Sequence, residues 1–336
     1  MIDAHLAPKR RAITRDRSLP DRSLPGHDRG APPLIVIAGA TATGKTDVAI
    51  RLAEALTQQG RPAAIISADS RQVFRGLDIG TAKVSAADRA RVPHHGLDLA
   101  DPDAPFSVAD FAEHARSVLA ELAQDDAVAI LVGGTGFYLR ALARGLDTAA
   151  LPSDRELRAR LESDLIQHGP AALLLRLETL APILAASIET RNPRRVVRAL
   201  EIAELRGDGA LPAPLGYAGP LLWLGLTVEP VAHARHIETR AHLQFAAGLL
   251  AEARTLRERF DPALPAFSAI GYREAWAVLD GELTLATAIA LVTQRSVAFS
   301  KRQRTWFRSE PGIAWLDAAS DPVGRAQALV GRLLDD

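Results

Sequence analysis

Gly39, Ala40, Thr41, Ala42, Thr43, Gly44, Lys45 and Thr46 spell GATATGKT, which matches the pattern G-x-x-x-x-G-K-[ST]. Glycines let such a loop curl until successive backbone N–H groups point inward at phosphate oxygens, and the helix that follows adds the positive end of its dipole. Lys45 supplies a point charge and Thr46 a hydroxyl suited to magnesium. The bound group need not be a nucleoside triphosphate. No second strand carries a nucleotide-hydrolase acidic signature, so a kinase, an NTPase and another polyphosphate-using transferase all stay open. Further along, ADSRQVFRGLDIGTAK (68–83) follows a second apolar run. Residues just beyond the carboxyl ends of parallel strands meet at the ligand crevice, so Asp69 and Ser70 are expected to face Lys45. A carboxylate there holds magnesium, abstracts a proton, or only caps a turn. GGTGFYL (133–139) brings the Thr135 hydroxyl to the same place from a third strand.

These groups need strands before them and helices after them. From Leu34 the run LIVIAGA is short, apolar and closed by glycine, while Val48, Ala49, Leu52, Ala53 and Leu56 fall on one helical face. AAIISAD from Ala63 and AVAILVGG from Ala127 repeat that grammar, and Ser107 begins a capping box, SVAD, for the helix between them. Strands apolar on both faces and alternating with helices imply an α/β fold, a P-loop core whose parallel sheet is flanked by helices. After Gly145 the pattern is helical only, from about Ser153 to Arg206, with breaks at Gly169-Pro170 and Asn192-Pro193. LLWLGLTV from Leu221 reads as one more buried strand, and helices resume at about Val231 and run, with breaks, to Trp306. The expected organisation is a disordered tail (1–30), a catalytic core (31–146 and 216–336) with a mostly helical C-terminal part, and an all-helical insertion (147–215). Strand order is not legible at this level.

Composition narrows the partners. The 336 residues carry 40 Lys+Arg against 40 Asp+Glu and no cysteine. A formal charge of zero excludes a polycation that coats nucleic acid or anionic membrane indiscriminately, so any nucleic-acid contact has to be local. Without cysteine there is no disulfide, no Cys-type zinc site and no thiol nucleophile. Arg176 interrupts the richest apolar stretch and the N-terminus lacks an apolar signal core, so a cytoplasmic protein without a membrane span is expected. His94 and His95 adjoin, but neighbours on an extended chain point to opposite faces, which argues against a shared metal.

The motifs as a set resemble those of the tRNA dimethylallyltransferases, also called tRNA isopentenyltransferases. GATATGKT, DSRQVFRGLDIGTAK, VPHHGLD at Val92, FSVADF at Phe106, LVGGTGFYL at Leu131, NPRRVVRALEI at Asn192, AIGYREAW at Ala269 and SKRQRTWFR at Ser300 keep the family's order and similar spacing, across residues 33–318. Ala40 stands where the family often has proline, Arg71 where methionine is common, and Phe74 where tyrosine is usual. The resemblance implies a monomer that transfers a dimethylallyl group from dimethylallyl diphosphate to N6 of adenosine 37 in tRNA, with Mg2+ and without ATP. It implies that residues 39–46 hold the diphosphate, that Thr46 ligates the metal, that Asp69 takes the amine's proton and that Thr135 orients the reactants. Arg240 is the implied diphosphate arginine, although His236 and Gln244 stand where arginine and methionine are common. Asp69, Ser70, Arg71, Gln72, Thr135, Arg158, Arg194, Arg195, Val196, Val197 and Arg198 are the implied tRNA contacts.

Arg191, Arg194, Arg195 and Arg198 recur at three- and four-residue spacing, which puts most of them on a single helical face. Lys301, Arg302, Arg304 and Arg308 form a second basic cluster around Trp306 and Phe307, an aromatic pair expected in the core. Two enzyme readings compete. A transferase that prenylates free adenine nucleotide needs no helical insertion with a basic face, and a P-loop small-molecule kinase would show an arginine-rich lid motif. A non-catalytic RNA-binding protein would tolerate change at Asp69.

Overall fold

The computed structural model describes residues 30–148 and 150–335, so the expected disordered tail lies outside them except for Gly30. Six strands, β1 (Leu34–Gly39), β2 (Ala63–Ser67), β3 (His94–His95), β4 (Val128–Gly133), β5 (Leu221–Thr227) and β6 (Ile313–Asp317), pair in parallel in the order β3-β2-β4-β1-β5-β6. The two-residue alternation of a strand sorts β1 between two cores: Leu34, Val36 and Ala38 join one cluster, Ile35 and Ile37 the other. That is why its sequence is apolar at every position.

Helices cover both faces. α1 (Lys45–Gln58) packs on the Ile35 face through Val48 and Leu52. After α2 (Ala86–Arg91), α3 (Val108–Gln124) packs on the Leu34 face through Phe111, Ala115 and Val118, its start fixed by the Ser107–Asp110 capping box. α4 (Gly136–Ala143) takes the same face through Leu139 and Leu142. Hence α1 leaves β1 toward one face while α4 leaves the neighbouring β4 toward the other. Their loops part at the carboxyl ends of the strands, which opens a crevice there.

The chain then forms α5 (Arg155–Leu180), α6 (Pro182–Ala186) and α7 (Pro193–Arg206), which share a separate apolar cluster built on Leu161, Leu177, Leu184 and Leu200. α5 kinks where expected: Gly169 has a left-handed φ of +77° and Pro170 restarts the helix. Val196 and Val197 are 1% and 3% exposed inside this cluster. Their side chains therefore pack the insertion's core, which leaves only their backbone to meet a partner.

After β5 come α8 (Pro230–Ala246), α9 (Leu249–Arg259), α10 (Tyr272–Leu279) and α11 (Leu285–Arg308), then β6 and α12 (Pro322–Asp335). The sequence reading had no β3, β6 or α12. β3 is two histidines, too short and too polar to stand out, and β6 offers only the four-residue apolar run IAWL. Trp306 packs against Gly136 beneath Arg140, whose guanidinium carbon lies 4.4 Å from the ring centroid.

Candidate active site

The first loop is shaped by its backbone. At Gly39 φ is +153° and a Cβ would come within 3.0 Å of the Leu226 carbonyl oxygen, so only glycine fits. Gly44 caps α1 in the left-handed region at φ +85°, and Ala42 holds φ +60°, which costs an L side chain roughly 1 kcal/mol. Thr43 Oγ1 and Lys45 Nζ both donate to the Ala40 carbonyl, at 2.9 and 2.6 Å. Lys45 is thus folded back over its own loop, and Thr46 stands exposed in the first turn of α1.

Burial pushes the Lys45 amine down to about 7; the Arg240 guanidinium adds to the shift and the Asp69 carboxylate opposes it. An anion seated between these cations raises the amine's affinity for its proton again. Diphosphate binding should then take up a proton above that value and weaken as pH rises. The check is calorimetric titration with inorganic diphosphate in two buffers of different protonation enthalpy, comparing the protein with its Lys45→Met variant. We expect an excess uptake approaching one proton about one pH unit above the Lys45 value. Equal uptake by the two proteins would contradict this.

The second and third loops meet the first. Asp69 Oδ1 accepts the backbone N–H groups of Arg71 at 2.8 Å and Gln72 at 3.4 Å, an Asx-type turn that fixes the carboxylate while it still lines the crevice. Thr135 Oγ1 accepts the Ser70 N–H at 3.0 Å, stitching the β4 loop to the β2 loop. Gly133 permits that approach, since a Cβ there would fall 2.1 Å from the Ala68 carbonyl oxygen. The Gln72 amide is braced at both ends: it accepts from Ser67 Oγ at 3.0 Å and donates to the Thr81 carbonyl at 3.2 Å. Arg71 reaches across to the Pro265 carbonyl at 2.9 Å.

α8 closes the crevice from the far side. Arg240 donates to Thr41 Oγ1 and to the Thr81 carbonyl, both at 3.1 Å, and so spans the first and second loops. The neighbouring His233 donates from Nε2 to the Thr41 carbonyl at 2.7 Å, and burial holds its imidazole below the usual value. One cavity of about 430 Å3 is lined at once by Thr41, Asp69, Thr135, Arg240, Arg194 of α7 and Arg302 of α11. That volume suits a small-ligand site, which typically measures about 300–1,000 Å3.

The insertion's arginines divide. Arg194 and Arg195 are exposed, and Arg194 lines the cavity. Arg158 and Arg198 are instead committed to Glu201, which is fully buried: Arg158 Nη2 lies 2.8 Å and Arg198 Nη1 2.7 Å from Glu201 Oε2. Arg198 also donates to the Pro152 carbonyl at 2.8 Å. A buried carboxylate must be paired, and Glu201 takes these two, each still about a third exposed, as its partners. Gln303 is a site residue that the sequence reading passed over in favour of the basic residues around it. Its signal was the buried helical spacing it shares with Ser300 and Phe307.

Among the described residues no three His, Cys, Asp or Glu side chains gather to hold a metal. The oxygen donors lining the cavity include the Asp69 carboxylate and the Thr41, Ser70 and Thr135 hydroxyls, and Thr46 stands exposed at the start of α1. Such a sparse set fits Mg2+, which keeps several waters and is usually shared with substrate phosphates.

Residues 72–310 match the family model described as IPP transferase. The tRNA dimethylallyltransferase of Roseiflexus sp. (strain RS-1) is 41% identical over 309 residues, covering 90% of this chain and 99% of that one. The crystal structure of the full-length tRNA isopentenylpyrophosphate transferase from Bacillus halodurans, 36% identical, aligns at a TM-score of 0.66 over 90% of this chain and 97% of that one. A eukaryotic dimethylallyltransferase acting on tRNA, 24% identical, shares the fold at a TM-score of 0.73 over 91% of this chain and 80% of that one.

Proposed function

The chain belongs to the IPP transferase family, and from that premise we propose that it modifies tRNA by moving a dimethylallyl group from dimethylallyl diphosphate to N6 of adenosine 37. The observation that carries the reading is the single cavity in which the first loop, Asp69, Thr135 and the exposed Arg194 meet. As the allylic C1–O bond breaks, its electron pair passes to the diphosphate. The loop N–H groups, Arg240, and Lys45 once it leaves the Ala40 carbonyl would meet that charge. N6 attacks C1 with a lone pair delocalised into the purine, so the amine needs a base, and its proton passes to the Asp69 carboxylate. Thr135, fixed by the Ser70 N–H, orients the reactants from the neighbouring strand. The Thr46 hydroxyl would help to hold Mg2+, which when bound would supply further charge neutralisation.

The acceptor base has to leave its stack to enter a cavity of this size. Residues 147–215, with a core of their own, serve as the tRNA-binding insertion through Arg194 and Arg195, while Asp69 to Gln72 and Thr135 meet the base. The enzyme works as a monomer in the cytoplasm; among the described residues no helix is long and apolar enough to cross a membrane. The test is incubation with labelled dimethylallyl diphosphate, Mg2+ and unmodified tRNA, followed by digestion to nucleosides. Label on N6-dimethylallyladenosine is expected; label taken up by AMP supplied alongside, with none in the tRNA, would overturn the reading.

The division among the arginines gives a second check. The double variant Arg194→Ala with Arg195→Ala should weaken tRNA binding and flatten its salt dependence by about one slope unit per lost phosphate contact. Affinity for dimethylallyl diphosphate should hold. Filter binding across a salt series measures the first and calorimetry the second; an unchanged slope would remove both residues from the interface.

A further inference from the structure

Gln303 is 7% exposed and bridges the two loops that part beyond the last ladder pair, Ala38 with Gly133. Its Oε1 accepts the Thr41 N–H at 2.8 Å and its Nε2 donates to the Gly134 carbonyl at 2.9 Å, one residue before Thr135. The amide can sit only this way round, because a backbone N–H only donates and a carbonyl only accepts. Gly134 admits it: a Cβ there would fall 2.3 Å from Nε2, while the next nearest atoms, the Gln303 amide carbon and the Gly39 carbonyl oxygen, lie at 3.5 and 3.7 Å. The backbone at Gly134 and the side chain at Gln303 therefore fit as a pair.

We propose that Gln303 is a positioning residue that fixes the separation between the diphosphate cradle and the Thr135 side of the crevice. It acts through Thr41 and Gly134, and the proposal rests on reading the cavity as the dimethylallyl-transfer site. Strand pairing ends at Gly133, so beyond it the amide holds in register two loops attached to opposite faces of the sheet. Transfer needs the attacking nitrogen and the allylic carbon roughly 3–3.5 Å apart, and a shift of about 1 Å costs on the order of 100-fold in rate.

The test is a double-mutant cycle in the full chain with Gln303→Ala, Gly134→Ala and the pair, reading single-turnover transfer, Kd for dimethylallyl diphosphate, Kd for tRNA and melting temperature. Gln303→Ala should lower the transfer rate by about 10- to 100-fold with both Kd values within about threefold. Gly134→Ala keeps the glutamine but pushes its amide aside, and should produce the same split. The double variant should be no slower than Gln303→Ala, because the added methyl has room once the amide is gone. If Gln303→Ala does not fold, Gly134→Ala decides, and full activity there overturns the proposal. So would a Gln303→Ala rate within about threefold of the unmodified protein, losses that multiply in the double variant, or binding lost in parallel with rate. The unmodified protein in the same assay tests the functional reading separately, since its failure to transfer would sink that reading before any variant is compared.

Discussion

Asp69→Asn is expected to slow single-turnover transfer at saturating tRNA by about 100-fold to 10,000-fold, the range for loss of a general base. Filter binding of tRNA to the same variant should change little, because phosphate contacts elsewhere dominate affinity. The substitution is conservative where it must be: an asparagine oxygen can still accept the Arg71 and Gln72 N–H groups that close the turn, so the loop keeps its shape. What it cannot do is take the proton from N6. A rate within about threefold of the unmodified protein would remove Asp69 as the base and leave it the turn alone. Thr135→Ala separates orientation from proton transfer. It frees the Ser70 N–H and should slow transfer through misalignment while the carboxylate stays in place.

Glu201→Ala should destabilise the insertion by about 3 kcal/mol, the cost of leaving partners of a buried charge unpaired. Glu201 is 0% exposed and accepts from Arg158, from Arg198 and from the Asp154 N–H. Burial opposes its charge, yet Arg198, the Asp154 N–H and Arg158 hold the carboxyl below its ordinary value. Both arginines keep some contact with water, which places the expected loss at the low end of the range for such pairs. Hydrogen exchange should show 155–206 opening while β1 and β4 stay protected, since the insertion has its own core. Urea unfolding that shifts by less than about 0.5 kcal/mol would contradict the account and return Arg158 and Arg198 to the free basic face.

The difference between those two results shows where the sequence speaks clearly. The first loop, the capping box at Ser107 and the kink at Gly169 were legible because glycine, proline and cap residues act on the backbone within a few positions. The two-sided apolar strands announced a buried parallel sheet for the same local reason. Arg198 carried a local signal, Glu201 at the i+3 position, where Arg194 and Arg195 have Val197 and Arg198. The role of Arg158 was not legible, since only folding brings a carboxylate 43 residues away against it. Gln303 was hidden by distance too, since its partners are 262 and 169 residues away. β6 escaped because its apolar run, IAWL, is only four residues long, shorter than those of the central strands.

The most direct measurement is the position of the transferred group. Unmodified tRNA is incubated with the full chain, Mg2+ and dimethylallyl diphosphate, cut with a base-specific nuclease, and its fragments are sequenced by mass spectrometry, alongside a tRNA in which adenosine 37 is replaced by guanosine. The account predicts one dimethylallyl group on N6 of adenosine 37 and none on the guanosine-37 tRNA. Modification at another nucleotide, or equal transfer to both tRNAs, would contradict it.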